Sequence, residues 1–340
     1  MPTISVIIPA HGGGAVFQRC VDAIGHSGCV PDEVIIVADG PIDDALNIAR
    51  NFGASVLLNE KAMGPAIARN QGASVAIGDI FFFVDADVEV GAGTIEHVLE
   101  LFKLHPKIDA LIGSYDNAPA DHGLVSRFRN LLHHFTHQHS SEEASTFWGA
   151  CGAIKREAFE AVSGFDERFG KPSIEDIEMG YRLRSAGYTI RLEAALQVKH
   201  LKHWTLLSMI RTDLFQRALP WTDLILSENR TERDLNLTNS NRLSVLSILL
   251  ALLLTGMAVI LPNGIVPVYI LPILIVILFT FYLTLNAPFY RLLLNTNGFL
   301  FMMACIPLHA LFYTYSGMAY AIGVTRFYFR RIIRAQNGPR

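Results

Sequence analysis

The sequence predicts an α/β domain on a Rossmann-like, mostly parallel sheet, followed by α-helical transmembrane segments. Three observations carry that prediction. Short apolar, β-branched runs alternate with helical stretches through the first part of the chain, the pattern of a doubly wound sheet. One of those runs, Ile80–Val84, is apolar at every position and ends in Asp85-Ala86-Asp87. Later, no Asp, Glu, Lys or Arg occurs from Leu243 to Tyr290, nor from Leu292 to Thr325. The organisation read from this is a domain over 1–203, interfacial amphipathic helices over 204–240, a transmembrane region over 243–325 and a basic tail over 326–340.

The elements follow in order. Thr3 to Ile8 is a β-branched run closed by Pro9-Ala10, and His11-Gly12-Gly13-Gly14 then permits a tight turn and close backbone approach. A helix over Val16–Ser27 leads to the apolar strand Glu33–Val37, which ends at Ala38-Asp39-Gly40. A further helix–strand pair covers Asp43–Asn51 and Ala54–Leu58. Pro65 suits the first turn of the next helix, which continues through Ala68-Arg69-Asn70-Gln71-Gly72. Ile80–Val84 reads as a strand buried on both faces. Parallel strands bring their C-terminal ends to one edge, where open α/β sheets hold ligands, so Pro9, Asp39, Asp85 and Asp87 converge there.

The chemistry of that edge is specific in combination and weak in its parts. Two carboxylates one residue apart repel each other, and a divalent cation relieves the repulsion most simply. Oxygen ligands suit Mg²⁺ or Mn²⁺, with water and substrate phosphates completing the shell. A strand end turning into solvent carries Asp as well, so the pair alone favours the plainer reading. Asp39 can accept from a nucleobase N–H or a ribose hydroxyl, and the helix start near Gly64–Ala66 favours anions. The glycine turn is neither a P-loop nor a G-x-G-x-x-G motif.

With these residues in place, the sequence resembles family 2 glycosyltransferases of GT-A fold. Ser5-Val6-Ile7-Ile8-Pro9, Asp39-Gly40, Ala68–Gly72 and Asp85-Ala86-Asp87 are similar to the family's successive motifs, as are Trp148–Arg156, Gly164-Phe165-Asp166-Glu167 and Ile174–Leu183. The resemblance covers residues 3–205. It implies inverting transfer of a sugar from a nucleoside diphosphate, with Asp176 as catalytic base. It also implies donor contacts from Pro9, Asp39, Arg69, Asp85, Trp148, Gly149 and Glu175, and metal ligation by Asp85, Asp87 and His200. Inversion in one displacement needs a base on the acceptor hydroxyl and a cation on the leaving diphosphate, which these residues match. Plainer readings stand beside them: acids in a first helical turn suit the helix dipole, and a single His is as often a packed group. Trp148 beside Gly149 is either part of a sugar pocket or an aromatic core plug. His133, His134, His137 and His139 read as a polar face on the acceptor side, not as a zinc site.

Composition frames the function classes. The chain has 340 residues, of which 17% are charged, with net charge −3 and mean hydropathy +0.33. No basic, aromatic-laced patch points to nucleic acid. Cys20, Cys29, Cys151 and Cys305 form no metal or disulfide pattern and suit buried thiols in a reducing compartment. No signal peptide precedes the first strand, so the domain is expected on the cytoplasmic side of an inner, multi-pass membrane protein of the cell envelope.

Trp204 to Leu219 has helical apolar spacing consistent with an interfacial helix. Gln216-Arg217-Ala218-Leu219-Pro220-Trp221 departs from the Gln-x-x-Arg-Trp motif of processive members, which disfavours a polymerase. Three spans fit 243–261, 266–285 and 299–324, broken first by Pro262-Asn263-Gly264. Three spans put the arginine-rich tail opposite the domain, against the positive-inside rule. His309 inside the third span requires a polar neighbour. The expected partners are a nucleotide-sugar donor, with UDP the preferred nucleotide, and a lipid or lipid-linked acceptor at the membrane. The alternatives are a polysaccharide synthase-like polymerase, a sugar-phosphate nucleotidyltransferase lacking its basic signature here, and a non-catalytic scaffold, which predicts loss of Asp85, Asp87 or Asp176.

Overall fold

The computed structural model describes residues 2–228, 238–260 and 269–336. The chain divides into two compact units, Met1–His203 and Trp204–Arg340.

The first unit is an eight-stranded mixed sheet covered by helices. Its strands are β1 (Ile4–Ala10), β2 (Glu33–Asp39), β3 (Ser55–Asn59), β4 (Ile80–Val84), β5 (Val88–Val90), β6 (Ala110–Tyr115), β7 (Cys151–Lys155) and β8 (Ile190–His200). Their order in the sheet is β3-β2-β1-β4-β7-β6-β8-β5. β1, β2, β3 and β4 are parallel, and the chain steps outward to β3 before returning to β4 on the other side of β1. That reversal is a topological switch point, the place where an open α/β sheet leaves a crevice.

Within this mostly parallel sheet, β7 runs antiparallel to both β4 and β6. Val84 lies opposite Cys151, so the start of β7 faces the end of β4. The antiparallel entry delivers Trp148-Gly149-Ala150 to the ligand edge, and the Asp85 N–H donates to the Ala150 carbonyl at 3.3 Å. A parallel strand would have carried those residues to the opposite edge.

The helices of this unit are α1 (Gly14–Gly25), α2 (Asp43–Phe52), α3 (Pro65–Val75), α4 (Thr94–Leu104), α5 (Leu124–Gln138), α6 (Arg156–Ala161) and α7 (Glu175–Ser185). α1 begins and ends two residues earlier than its apolar spacing suggests, closing with the His26 N–H on the Asp22 carbonyl at 3.0 Å. α3 opens on Pro65 and sits directly on the sheet: a Cβ at Gly72 would lie 2.5 Å from Ile7 Cγ2. The core is aromatic under β4. Phe81, Phe82 and Phe83 are buried, and Phe83 meets Phe147, Phe159 and Phe165 with ring centroids 5.2–6.2 Å apart.

The second unit is helical. α8 (Leu206–Arg211) starts with a capping box between Thr205 and Ser208. A π-helical turn, Thr212–Ala218, follows and passes into α9 (Leu219–Glu228). In the wider turn Asp213 is buried in the interior, where Tyr315 Oη donates to it at 2.6 Å. Phe215 and Leu207 stay exposed.

α10 (Asn239–Ile260), α11 (Ile270–Leu285), α12 (Ala287–Asn297) and α13 (Phe299–Gln336) complete the unit. α10 and α13 are long and apolar enough to cross a membrane, with mean hydropathy 2.6 and 1.4. α11 and α12 meet at a 65° bend and count as a third span only if taken together. α11 lies within the span expected over 266–285, and the bend follows directly after it. Asn286 caps α11 with its side chain on the Tyr282 carbonyl (2.9 Å), and Pro288 removes an N–H from the next turn. Residues 229–237 of the interfacial stretch, the turn Pro262-Asn263-Gly264, residues 261 and 266–268 of the expected spans, and Arg340 of the tail lie outside the described residues.

His309 is buried and has the polar neighbour its position requires, with Nδ1 3.2 Å from Tyr290 Oη. Tyr290 Oη in turn donates to Tyr282 Oη at 2.5 Å. Asn286 donates to Ser244 Oγ at 2.9 Å, and Tyr313 Oη donates to the side-chain oxygens of Asn286 and Asn241 at 3.0 and 2.9 Å. The buried polar side chains Ser244, Asn286 and His309 are thereby joined to partners within the unit, as an apolar surrounding demands.

Candidate active site

Five segments far apart in sequence meet at the switch-point edge. α3 supplies Arg69, the end of β4 supplies Asp85 and Asp87, the loop before β7 supplies Gly149, the first turn of α7 supplies Glu175 and Asp176, and the end of β8 supplies His200. Arg69 is their centre. It is 4% exposed, donates from Nη2 to Asp85 Oδ1 at 2.7 Å and from Nη1 to Glu175 Oε1 at 3.0 Å, and lies over the Phe165 ring at 5.2 Å.

Burial works against the Arg69 charge, yet Asp85, Glu175 and Asp176 outweigh it and hold the guanidinium above its ordinary pKa. Gly149 leaves the room this side chain needs: a Cβ there would lie 2.7 Å from Arg69 Cζ.

Asp176 faces the same space. The Gly149 N–H donates to its Oδ2 at 3.3 Å and the Ile177 N–H to its Oδ1 at 2.8 Å. Glu175 is buried beside it, and its Oε2 accepts from the Ser173 N–H at 2.9 Å. The two neighbouring acids therefore point to different partners: Glu175 anchors Arg69, whereas Asp176 is oriented by backbone N–H donors. The α7 dipole favours both charges at its N-terminus.

On the other side, Asp87 Oδ2 stands 3.9 Å from His200 Nε2. Burial, and then the Asp85 carboxylate, push Asp87 up to about 6. A cation between the carboxylates would offset the Asp85 repulsion. Among the described residues, no three His, Cys, Asp or Glu side chains form a metal-holding group by themselves. The donor set of two carboxylates and one imidazole nevertheless fits a hard cation that retains water and substrate phosphate oxygens.

Other predicted residues have different settings. Pro9 is in β1, paired with Val37 one strand from Asp39's end. Asp39 is 3% exposed. Its Oδ1 accepts from Asn59 Nδ2 (3.0 Å) and the Met63 N–H (2.8 Å), and its Oδ2 accepts from the Gly64 N–H (2.8 Å). Two of these bonds hold the loop ahead of α3 and the third holds the end of β3, which leaves little capacity for a nucleobase. Sequence reasoning missed this use and also Asn59, which bridges Asp39 to Gln71 Oε1 at 2.9 Å.

Trp148 is 8% exposed and packed against Tyr115, His133 and His137, the plug arrangement and not an open sugar platform. The α5 histidines differ from an acceptor-facing row. His134 and His137 are buried, with Nδ1–H donating to the Tyr115 and Gly113 carbonyls at 2.7 and 2.9 Å. His203, the other histidine near the strand end, turns to Asp121 at 2.8 Å.

A mostly parallel, curled α/β sheet with acidic residues at its switch point is a GT-A-like fold. A mannosyltransferase from Pyrobaculum calidifontis, solved with GDP-Man and Mn²⁺, shares it with TM-score 0.50 and 15% identity over 94% of this chain and 86% of that one. Residues 5–163 match the model for glycosyl transferase family 2, and residues 129–204 match the N-terminal domain of galactosyltransferase. The first unit belongs to glycosyl transferase family 2. The chain is 36% identical over 91 residues to the uncharacterized glycosyltransferase YibD of Escherichia coli, covering 26% of each. It is 25% identical over 221 residues to validoxylamine A glucosyltransferase of Streptomyces hygroscopicus subsp. limoneus, covering 55% of this chain and 49% of that protein. The chain thus spans less than half the length of either relative.

Proposed function

We propose that this chain is a membrane-anchored inverting glycosyltransferase. It moves a sugar from a nucleoside-diphosphate donor, by preference UDP-linked, to a lipid or lipid-linked saccharide. The observation that carries the reading is the assembly of Asp85, Arg69, Glu175, Gly149 and Asp176 around one crevice.

Asp176 is the base in this reading. It takes the proton of the acceptor hydroxyl as that oxygen bonds to the anomeric carbon, and the carbon's bond to the diphosphate oxygen breaks on the opposite face. Its backbone donors fix the carboxylate's direction. Glu175 and Asp85 hold Arg69 at the crevice, where a guanidinium suits phosphate oxygens. Asp85, Asp87 and His200 would hold Mg²⁺ or Mn²⁺. When bound, the cation neutralises charge developing on the leaving diphosphate. Asp39 serves the donor side by fixing the loop before α3, and Pro9, Trp148 and Gly149 shape the crevice walls.

The membrane role rests on α10 and α13, whose apolar length suits a bilayer. Anchoring raises encounter with an acceptor that is itself in the lipid. The catalytic unit is placed on the cytoplasmic side of the inner membrane, where nucleotide sugars are the available donors. All three acids that a non-catalytic scaffold could dispense with, Asp85, Asp87 and Asp176, are present.

Nucleotide release by the detergent-purified full chain tests this. UDP-, GDP- and dTDP-sugars are offered with Mn²⁺, Mg²⁺ or EDTA, with and without membrane lipid extract. Release from one donor, stimulated by lipid and abolished by EDTA, is expected. Absence of both release and nucleotide binding across the panel sinks the proposal and favours the scaffold.

A further inference from the structure

A stack of rings stands beside the candidate metal ligands and takes no part in the chemistry of Asp176 and Arg69. Tyr115, the last residue of β6, lies parallel to the His200 ring with centroids 4.2 Å apart and planes 13° apart. Trp148 meets Tyr115 edge-on at 4.8 Å, and His133 lies 4.5 Å from it. Both Tyr115 and His200 are buried.

The placement of Tyr115 is fixed from several sides. β6 and β8 pair in register from Ala110↔Ile190 to Ile112↔Leu192, then slip, so that Tyr115 pairs with Val198. The slip inserts extra β8 residues and brings the end of that strand, with His200, level with the Tyr115 ring. α5 then pins the local backbone, through His137 on the Gly113 carbonyl, His134 on the Tyr115 carbonyl and Asn130 on the Asp116 carbonyl (2.9, 2.7 and 2.7 Å). The Tyr115 backbone is thereby anchored, and the His200 imidazole lies flat against the Tyr115 ring with its Nε2 edge toward Asp87.

We propose that Tyr115 is a positioning residue for His200, presenting the imidazole so that it and Asp87 reach the same divalent cation. This inference rests on the metal reading of the site. An imidazole free to rotate about its side-chain bonds would spend less time aimed at the cation. Outer-shell partners that orient a ligating His characteristically change metal affinity 10–100-fold. The ring face performs this task, so the phenolic hydroxyl is dispensable.

The test is Mn²⁺ affinity of the full chain in detergent, read as free Mn²⁺ by electron paramagnetic resonance, in the presence of UDP and separately of GDP. Tyr115→Phe keeps the wild-type affinity within about twofold. Tyr115→Leu loses about 10-fold or more, and adds nothing further in a His200→Ala background, because it acts through His200. At saturating Mn²⁺ the turnover of Tyr115→Leu recovers, whereas at limiting Mn²⁺ it falls; a general loss of structure would lower both. Should Tyr115→Leu not fold, Tyr115→Met carries the same comparison, since Met fills irregular space without a ring. Wild-type affinity in these ringless variants overturns the inference alone, as does an additive loss in the His200→Ala background. A wild-type chain that binds no Mn²⁺ with either nucleotide overturns the metal reading and this inference together.

Discussion

At the residue scale, the site depends on one cation shared between two acids. Arg69 is buried and paired to Asp85 and Glu175, so its removal strands a buried carboxylate. Arg69→Ala is expected to destabilise the first unit by about 3–5 kcal/mol, measured by chemical denaturation of the full chain. Asp176 is held by the Gly149 and Ile177 N–H groups, and Asp176→Asn keeps its size and shape. That change is expected to lower turnover about 10²- to 10⁴-fold while nucleotide affinity holds, measured by release assay and calorimetry; equal loss of binding would mean a structural role. The cysteines separate by environment. Burial pushes Cys151 up to about 12, and burial with the Asp87 and Asp85 charges raises Cys20 above its ordinary value. Both stay protonated thiols at pH 8, and only a rise through the folded-state pKa would ionise them. Native maleimide labelling analysed by mass spectrometry is expected to modify half-exposed Cys29 and to spare Cys20 and Cys151.

At the element scale, β4 ties core to chemistry. Its three phenylalanines are buried, and the strand ends in the acidic pair. Phe83 packs against rings from the 147, 159 and 165 positions, so truncation leaves a cavity that several rigid groups cannot close. Phe83→Ala is expected to cost about 3–5 kcal/mol in an unfolding titration. In the second unit, Asn286 stands at the bend between α11 and α12 and bonds to α10 and α13 as well. Asn286→Leu is expected to cost about 0.6 kcal/mol and at most about 1.7, the range for hydrogen bonds between membrane helices, as a lowered thermal transition in detergent.

At the scale of the whole molecule, a family 2 domain is joined in one chain to helices of unusual apolarity. α10 and the apolar window of α13 expose Leu252, Leu253, Val259 and Met318 to their surroundings. Such surface is unfavourable in water and natural in lipid. After cell lysis the chain is expected to sediment with membranes, to stay there through high salt and alkaline carbonate, and to be released by detergent. Release by salt alone would mean that the helices do not insert.

Much of the fold was determined by the sequence itself. Apolar runs at strand spacing, helical stretches between them and glycine or proline punctuation are local signals, and they placed β1 to β4 with their helices. The charge-free tracts marked α10 and α13 for the same reason: hydropathy sums along the chain without reference to contacts. Asp85, Asp87, Asp176 and Arg69 were singled out because motif spacing is also a local property. Tertiary structure alone decided the rest. Nothing local distinguishes an antiparallel β7 from a parallel one, yet that direction brings Gly149 to the crevice. The burial of Asp39 on its own loop, the inward turn of Asp213 and the bend at Asn286 depend on partners distant in sequence. The stack of Tyr115 on His200 depends on a register slip between β6 and β8. Propensity and periodicity act along the chain, whereas direction, register and hydrogen-bond partners are set by which surfaces meet in space.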